Sequence, residues 1–550
     1  MLERAERRRR AVAYGIVSGV ALAQRATVFL VHRARLDAYI GANASWYTFQ
    51  HLPREMLGDH LFRSLVLFQQ TPPGSNLLMG LALKWFSWPV GVAYAMIWME
   101  AAVSILTALV LVHLIATLYP GRVVLWVAIG LLFVLNDDLI VLEYASMGQL
   151  IYGPLAMLFS LVVVDRLAVL RSTGEMRAAF ASGIATGLLV LSRATWSYFA
   201  VPCLTLVALL AGRRWPRAVL ACLLPIVVLQ GGWSVKNWAL YGVLSHSTSS
   251  WGGMHAIIGL NYAGFRQDYL RFFRDEATAE NGAPAWEVEL AHGNPKGLDL
   301  LKSETAARDQ WVERTVGLSN PMVNTLFFRE LCAQAQRDFL RFAVRNPRAI
   351  LAKWWTAYRY FFWQPITNCG RILGTFLVWE NRISDGLNLP DVVRQLRAGT
   401  LPERSFAASG SSPLTKDQKV PAGLTPVSLY TFGFLAPMVL MLNVIGIHLL
   451  LPLVALAWLV ERVRQPAARV LDPQRMAVLL VAATVYVYLA GVANVVETAE
   501  NMRYRLEVEP VIWVITLICL GELGRLIGAA LRRRQSYMPS TNHEPVAASR

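Results

Sequence analysis

Apolar residues run through this chain in long unbroken stretches, and stretch length, more than any 2- or 3.6-residue alternation, sets the first expectation. Runs at about 11–31, 90–117, 121–136, 150–169, 178–193, 196–212, 217–235, 430–460, 476–495 and 508–531 hold few charges and approach or exceed the length of a membrane helix. The third and fifth are short, which suits tilted or broken helices, and the eighth is long enough to continue past a bilayer. The pattern predicts an all-α polytopic membrane protein of about ten transmembrane helices, with a large extracytoplasmic region that contains juxtamembrane helices.

The polar positions divide the chain. Residues 1–235 read as an N-terminal transmembrane core with a long first outside loop at 32–89. Residues 236–424 read as an extracytoplasmic region with interfacial helices and a linker, 425–531 as C-terminal transmembrane helices, and 532–550 as a basic, disordered cytoplasmic tail. Within the second part, Glu330–Arg345 has a charged helical pattern that stops at Asn346-Pro347. The run KWWTAYRYFFWQP (353–365) mixes cations with aromatic rings, as an interfacial helix does. Residues 400–424 are rich in Ser, Pro and Gly and read as a flexible linker. No internal repeat is visible, so an inverted-repeat transporter gains no support.

Composition narrows the class. Of 550 residues, 55% are hydrophobic and only 16% charged, where a soluble protein carries about 25% charge. Mean hydropathy is +0.41. A disordered chain is excluded and a soluble enzyme disfavoured. The net charge of +16 is read as topology, because no nucleic-acid motif accompanies it and no nucleic-acid partner is expected. Arg7–Arg10, Arg171 and Arg177, Arg213, Arg214 and Arg217, Arg462 to Arg475, and Arg532–Arg534 all fall on one side if ten spans alternate. That puts both termini in the cytoplasm of a multi-pass protein of the bacterial inner (plasma) membrane. The apolar run after MLERAERRRR is read as an uncleaved first span, with a signal peptide as its rival.

Candidate chemistry is sparse and clustered. No GxGxxG, Walker A, HExxH or GxSxG is present, which disfavours an ATP-driven machine. Cys203, Cys222 and Cys519 lie in apolar runs, and Cys332 and Cys369 share the outside region, where a disulfide stays open. No zinc pattern exists and no metal ligand is assigned, although a divalent metal is left open. His448 and Glu100 stand alone within apolar spans.

Five polar segments sit at the expected outer face. QQTPPGSNLLMGLALKWF (69–86) has a Pro72-Pro73 pair that favours extended backbone before a short helix. LNDDLIVLEYASMGQLIY (135–152) offers Asp137 and Asp138 at a loop edge and Glu143 among apolar neighbours, the better candidate for a buried functional carboxylate. LSRATWSYF (191–199) presents Arg193, a phosphate fork or a snorkelling anchor. The segment 231–261 opens with Lys236 and Asn237 and continues through Trp251 with hydroxyls, glycines and aromatic faces that suit a sugar or phosphate. VETAENMRYRLEVEP (496–510) crowds Glu497, Glu500, Arg503, Arg505, Glu507 and Glu509 into a short outside loop, either a salt-bridge knot or a cradle for a lipid phosphate.

In this order the five segments resemble the GT-C superfamily of integral-membrane glycosyltransferases, which includes protein O-mannosyltransferases and the aminoarabinose transferase of lipid A. Pro72-Pro73, LSRATW (191–196), KNWALYG (236–242) and Arg503-Tyr504-Arg505 with Pro510 are similar to that group's elements. Uncharacterised bacterial members are the nearest likeness, through Asn76, Gly80 and Lys84, through Asn136 and Glu143, and through Ser249–Met254. The resemblance implies a sugar donor carried on polyprenyl phosphate in the membrane and a glycan, lipid or protein acceptor. It implies a carboxylate base on the acceptor hydroxyl, and basic groups (Arg193, Lys236, Arg503, Arg505) on the phosphate, with Asn237, Tyr504 and Trp251 beside them. Transfer in this group usually inverts the sugar. One position departs from the pattern. Asn43 stands four residues before Tyr47, where the group commonly has Asp, and an amide cannot act as a base. Asp37, Asp59 and Glu143 are the remaining candidates. A GT-C-like scaffold that binds, flips or presents polyprenyl lipids is the alternative, and a transporter is a more distant one.

Overall fold

A computed structural model describes residues 2–42, 54–67, 73–136, 152–241, 326–363, 441–464, 472–496 and 501–536, with short pieces at 139–140, at 143 and between 243 and 272. The described residues are helical. In chain order the helices are α1 (Leu2–Ala42), α2 (Arg54–Asp59), α3 (Leu61–Leu67), α4 (Gly74–Trp85), α5 (Val90–Leu118), α6 (Val123–Val134), α7 (Tyr152–Thr173) and α8 (Met176–Ser192). They continue with α9 (Ala200–Ala211), α10 (Trp215–Ile226), α11 (Gly232–Tyr241), α12 (Leu326–Arg345), α13 (Pro347–Trp363), α14 (Leu451–Arg464), α15 (Pro473–Val496) and α16 (Asn501–Ser536). Single π turns at Val227–Gly231 and Gly446–Leu450 lead into α11 and α14.

Among the described residues, seven helical stretches are long and apolar enough to cross a membrane: Arg4–Leu30, Val90–Leu118, Gly153–Thr173, Ala200–Tyr241, Met441–Val460, Gln474–Val495 and Glu507–Ala529. The chain is therefore a helical membrane protein. The expected runs at 121–136 and 178–193 appear as the shorter apolar helices Val123–Val134 and Met176–Ser192. Twelve residues of α6 rise only about 18 Å, well under a hydrocarbon core of about 30 Å. The 42-residue stretch Ala200–Tyr241 reverses at Gly212, whose φ of 56° is open to glycine at little cost. Gly174, with φ 69°, makes the matching turn between α7 and α8, and Arg214 reaches it from the α9–α10 turn.

One end of the bundle is lashed by a cationic knot. Arg475 at the start of α15 donates to the Leu118 carbonyl at 3.3 Å and to Glu522 of α16 at 3.4 Å. Its guanidinium also lies over the Tyr119 ring, 4.9 Å from the centroid. Tyr119 donates to the Leu517 carbonyl at 2.9 Å, and burial raises its phenol above the usual range, which keeps it a donor. Arg525 closes on the same Glu522 at 2.8 Å. Two turns further in, Tyr14 of α1, His113 of α5 and Asp165 of α7 make a polar chain, with Tyr14–His113 3.1 Å and His113–Asp165 4.0 Å apart, and Asp165 also holds Arg166.

Four elements differ from expectation. The first helix runs on to Ala42, past the boundary at 31, because Val31–Ala42 is polar yet contains no proline to stop it. The stretch apolar enough to span nevertheless ends at Leu30, and the segment 32–89 holds the end of α1 and, among the described residues, the three short helices α2 to α4. Pro73 is α-helical (φ −75°, ψ −11°) and caps α4, where extended backbone was expected; a proline is tolerated before the first turn because that turn needs no donor from it. Residues 501–510, expected as a loop, form the first turns of α16. The basic-aromatic run forms α13 as a helix, but that helix packs on α15 and α16. Ala349, Lys353 and Ala357, each four residues from the next, make its buried face.

Helix contacts set a clear packing test. A Cβ on Gly183 of α8 would lie 2.1 Å from the Cys222 carbonyl oxygen and 2.6 Å from Pro225 on α10, so α8 and α10 must separate to admit it. Gly183→Ala is expected to destabilise the detergent-solubilised protein by about 1–3 kcal/mol, read as a lower thermal midpoint. Gly232→Ala, with nothing within 4 Å and helical φ of −57°, is expected to leave the midpoint unchanged or raise it.

Candidate functional site

At the end of the bundle opposite the Arg475 knot, charged side chains are buried in number. Arg25 of α1 is buried and makes a two-pronged pair with Glu143, Nε–Oε2 3.1 Å and Nη2–Oε1 2.7 Å. The same guanidinium donates to the Val134 carbonyl at the end of α6 and, at 2.9 Å, to Gln24. The planar fork thus joins α1, α6 and the segment after α6 in one network.

The second network is centred on the start of α16. Glu507 is buried and takes Arg193, the residue that ends α8. Its other oxygen accepts the Trp196 indole N–H at 3.0 Å. Trp196 is itself buried, stacked on Tyr488 of α15 with centroids 5.7 Å apart. Tyr488 donates to the Thr195 carbonyl at 2.9 Å and accepts from the Tyr198 amide at 3.1 Å. The Ala194–Trp196 turn is therefore held at both ends. Glu509, two residues on and so on a different face of α16, accepts from Asn136 at 2.9 Å. Arg505, four residues before Glu509 and on its face, is also buried. Pro510 inside α16 lacks an N–H, so the Leu506 carbonyl loses its helical donor at this site.

The short helices α2 to α4 close over this end of the bundle. Gly74 at the start of α4 packs against the Leu191 carbonyl and Ser192, beside Arg193. A small apolar core of Met56, Leu57, Leu61, Leu65, Met79 and Ala82 joins α2, α3 and α4 to the N-terminal turns of α5 and to Tyr241 of α11. Asn76, Gly80 and Lys84, four apart on α4, are explained by this packing. Asn76 is buried, a Cβ on Gly80 would lie 2.2 Å from Leu61 Cδ1, and Lys84 donates to the Gly58 carbonyl at 3.4 Å. On α11, Lys236 lies over the Trp233 ring at 3.8 Å from its centroid, and Asn237 is buried.

All five sequence segments are thereby joined. The first meets the third at Gly74–Leu191 and the fourth in the Tyr241 core. The third meets the fifth at Arg193–Glu507, and the second meets the fifth at Asn136–Glu509. Of the three candidate bases, Glu143 belongs to this assembly, held by Arg25, and the Asp37 side chain lies outside the described residues. Asp59 is exposed at the end of α2, next to the Gly58 carbonyl that Lys84 reaches. That is ten residues, or about 15 Å, along α4 from Gly74. Asp37 lies on α1 twelve residues, or about 18 Å, beyond Arg25. Arg503 and Tyr504 belong to the first turn of α16, but their side chains lie outside the described residues, as does Trp251 altogether. Among the described residues no three His, Cys, Asp or Glu side chains gather as metal ligands.

Sequence reasoning missed Arg25, although a single cation within the run AYGIVSGVALAQRATVFLV was a readable signal. It also missed Tyr488, which nothing in its own apolar run distinguishes. No family model, no curated protein and no solved structure matches this chain.

The Arg25–Glu143 pair makes a direct prediction. Arg25→Met or Glu143→Leu alone is expected to cost about 3–5 kcal/mol, because each leaves a buried charge behind. The double variant is expected to recover most of that loss, and a double-mutant cycle of thermal midpoints measures the coupling.

Proposed function

We propose that this chain is a membrane glycosyltransferase of the GT-C kind, moving a sugar from a polyprenyl-phosphate donor to a glycan, lipid or protein acceptor at the outer face of a bacterial inner membrane. The single observation that carries the reading is the convergence of five distant polar segments on one end of a helical bundle. That end is opposite the Arg171, Arg214 and Arg475 turns, which the positive-inside rule puts in the cytoplasm. On this reading α9 and α10 are separate passes, the short α6 and α8 also cross, and ten passes leave both termini inside.

The chemistry follows from the groups present. The donor's tail lies in the bilayer and its phosphate meets basic side chains at the outer boundary, from Lys236 on α11 and Arg503 and Arg505 on α16, with Asn237, Tyr504 and Trp251 flanking. A carboxylate removes the acceptor hydroxyl proton, the oxygen attacks the anomeric carbon, and the polyprenyl phosphate leaves with the bonding electron pair, its charge held by the cations. Arg193 and Glu143 already engage Glu507 and Arg25, so they are assigned to shaping the site. Asp37 or Asp59, beyond the buried cluster, supplies the base. No step calls for a metal, and a divalent ion stays compatible with a phosphate leaving group.

A second reading is favoured by one pair of observations: Asn43 occupies the customary base position, and Glu143 is tied to Arg25. It is a scaffold of the same fold that binds or flips polyprenyl lipids without chemistry.

Arg503→Ala and Lys236→Ala are each expected to weaken binding of a polyprenyl-phosphate sugar about tenfold, the loss of one charge-assisted contact, with the thermal midpoint unchanged. Unchanged donor affinity in both would remove the phosphate assignment. Asp37→Asn or Asp59→Asn is expected to abolish turnover while donor binding persists. Binding with no turnover in the native protein selects the scaffold.

A further inference from the structure

The pairing of α13 and its neighbours fixes the depth at which that helix sits. Lys353 is buried and its ammonium donates to the Val495 carbonyl at 2.6 Å and the Asn494 carbonyl at 3.4 Å, at the end of the apolar stretch Gln474–Val495. Those carbonyls are the negative end of α15, so the lysine caps the helix dipole. Five residues later, Tyr358 bonds Tyr486 at 3.1 Å and His448 at 2.9 Å. Both partners lie inside apolar spans, Gln474–Val495 and Met441–Val460. The helix α13 therefore descends antiparallel to α15, from its outer end toward the middle of the bilayer.

The face of α13 turned away from the bundle is then at lipid depth. Arg348, Leu351, Trp355 and Arg359 are spaced three and four apart on one side of the helix, opposite buried Ala349, Lys353 and Ala357. Leu351 and Trp355 are 67% and 56% exposed. Arg348 precedes Lys353 by five residues, about 7.5 Å toward the headgroups. Arg359 follows it by six, about 9 Å toward the acyl chains, and helical side chains lean back toward the N-terminus and so toward the interface. Across the Asn346-Pro347 break, α12 adds the exposed Arg341 and Arg345 four residues apart, the latter also over the Phe272 ring at 5.5 Å.

We propose that this arginine-lined face is a binding surface for anionic phospholipids of the bilayer, of the phosphatidylglycerol class. Arg341, Arg345 and Arg348 hold the headgroup phosphate, and Leu351 and Trp355 receive the acyl chains. The charge matches an anionic headgroup, and the change from cationic to apolar character occurs along one helix at the depth where a phospholipid makes the same change. The site is separate from the buried Arg–Glu cluster and does not rest on the transferase reading.

Native mass spectrometry of the full-length detergent-purified protein, titrated with equal phosphatidylglycerol and phosphatidylcholine, tests the proposal. The native protein is expected to retain phosphatidylglycerol preferentially. The triple variant Arg341→Gln, Arg345→Gln, Arg348→Gln is expected to lose roughly hundredfold in that preference, at about fivefold per arginine, with an unchanged thermal midpoint. The triple Arg-to-Lys variant is expected to keep most of it. An unchanged preference in the Gln variant overturns the proposal. So does a Lys variant as weak as the Gln variant with a native midpoint, or displacement of phosphatidylglycerol from the native protein by stoichiometric polyprenyl phosphate, which would make the donor lipid the occupant.

Discussion

Three glutamates buried at one end of a helical bundle have to be neutralised where they sit, and most of what is distinctive in this protein follows from that requirement. A carboxylate far from water is tolerable only with a partner in good geometry. Glu143 finds a two-pronged partner in Arg25. Glu507 takes the Arg193 guanidinium and the Trp196 indole, and Glu509 takes the Asn136 amide. Each partner comes from a different part of the chain, so satisfying three charges ties α1, α6, the end of α8 and the start of α16 to one another. Arg25 is buried with Glu143, and the half-buried Arg193 reaches in to Glu507.

The same constraint shapes what the site can do. Cations already committed to buried glutamates, Arg25 and Arg193, serve poorly as mobile phosphate clamps. The short helices α2 to α4 lie over this end through a separate small core, with Gly80 making room for Leu61. At the other end, Glu522 is met by Arg475 and Arg525.

Hydropathy made the spans legible, since crossing a bilayer depends on length and apolar content alone: Val90–Leu118 and Gln474–Val495 fall within a residue or two of the runs at 90–117 and 476–495. Where polarity and helix propensity pull apart, the reading failed. Residues 32–42 are polar but helical, and 501–510 are crowded with charge yet open α16, because charges space well on a helix when its neighbours supply counter-charges. Arg193 was visible as an isolated cation, but its partner Glu507 lies 314 residues away and no local pattern could join them. The aromatic richness of 353–365 suggested a helix lying flat; the alanines that let it pack upright against α15 carried the information instead.

The central claim is that this end of the bundle transfers a sugar from a lipid carrier, and deletion of the protein from its source followed by mass spectrometry of envelope glycans and lipids tests it most directly. One sugar is expected to vanish from a glycan, lipid or protein acceptor while its polyprenyl-phosphate form accumulates. An unchanged set of glycans and lipid-linked sugars would contradict the claim.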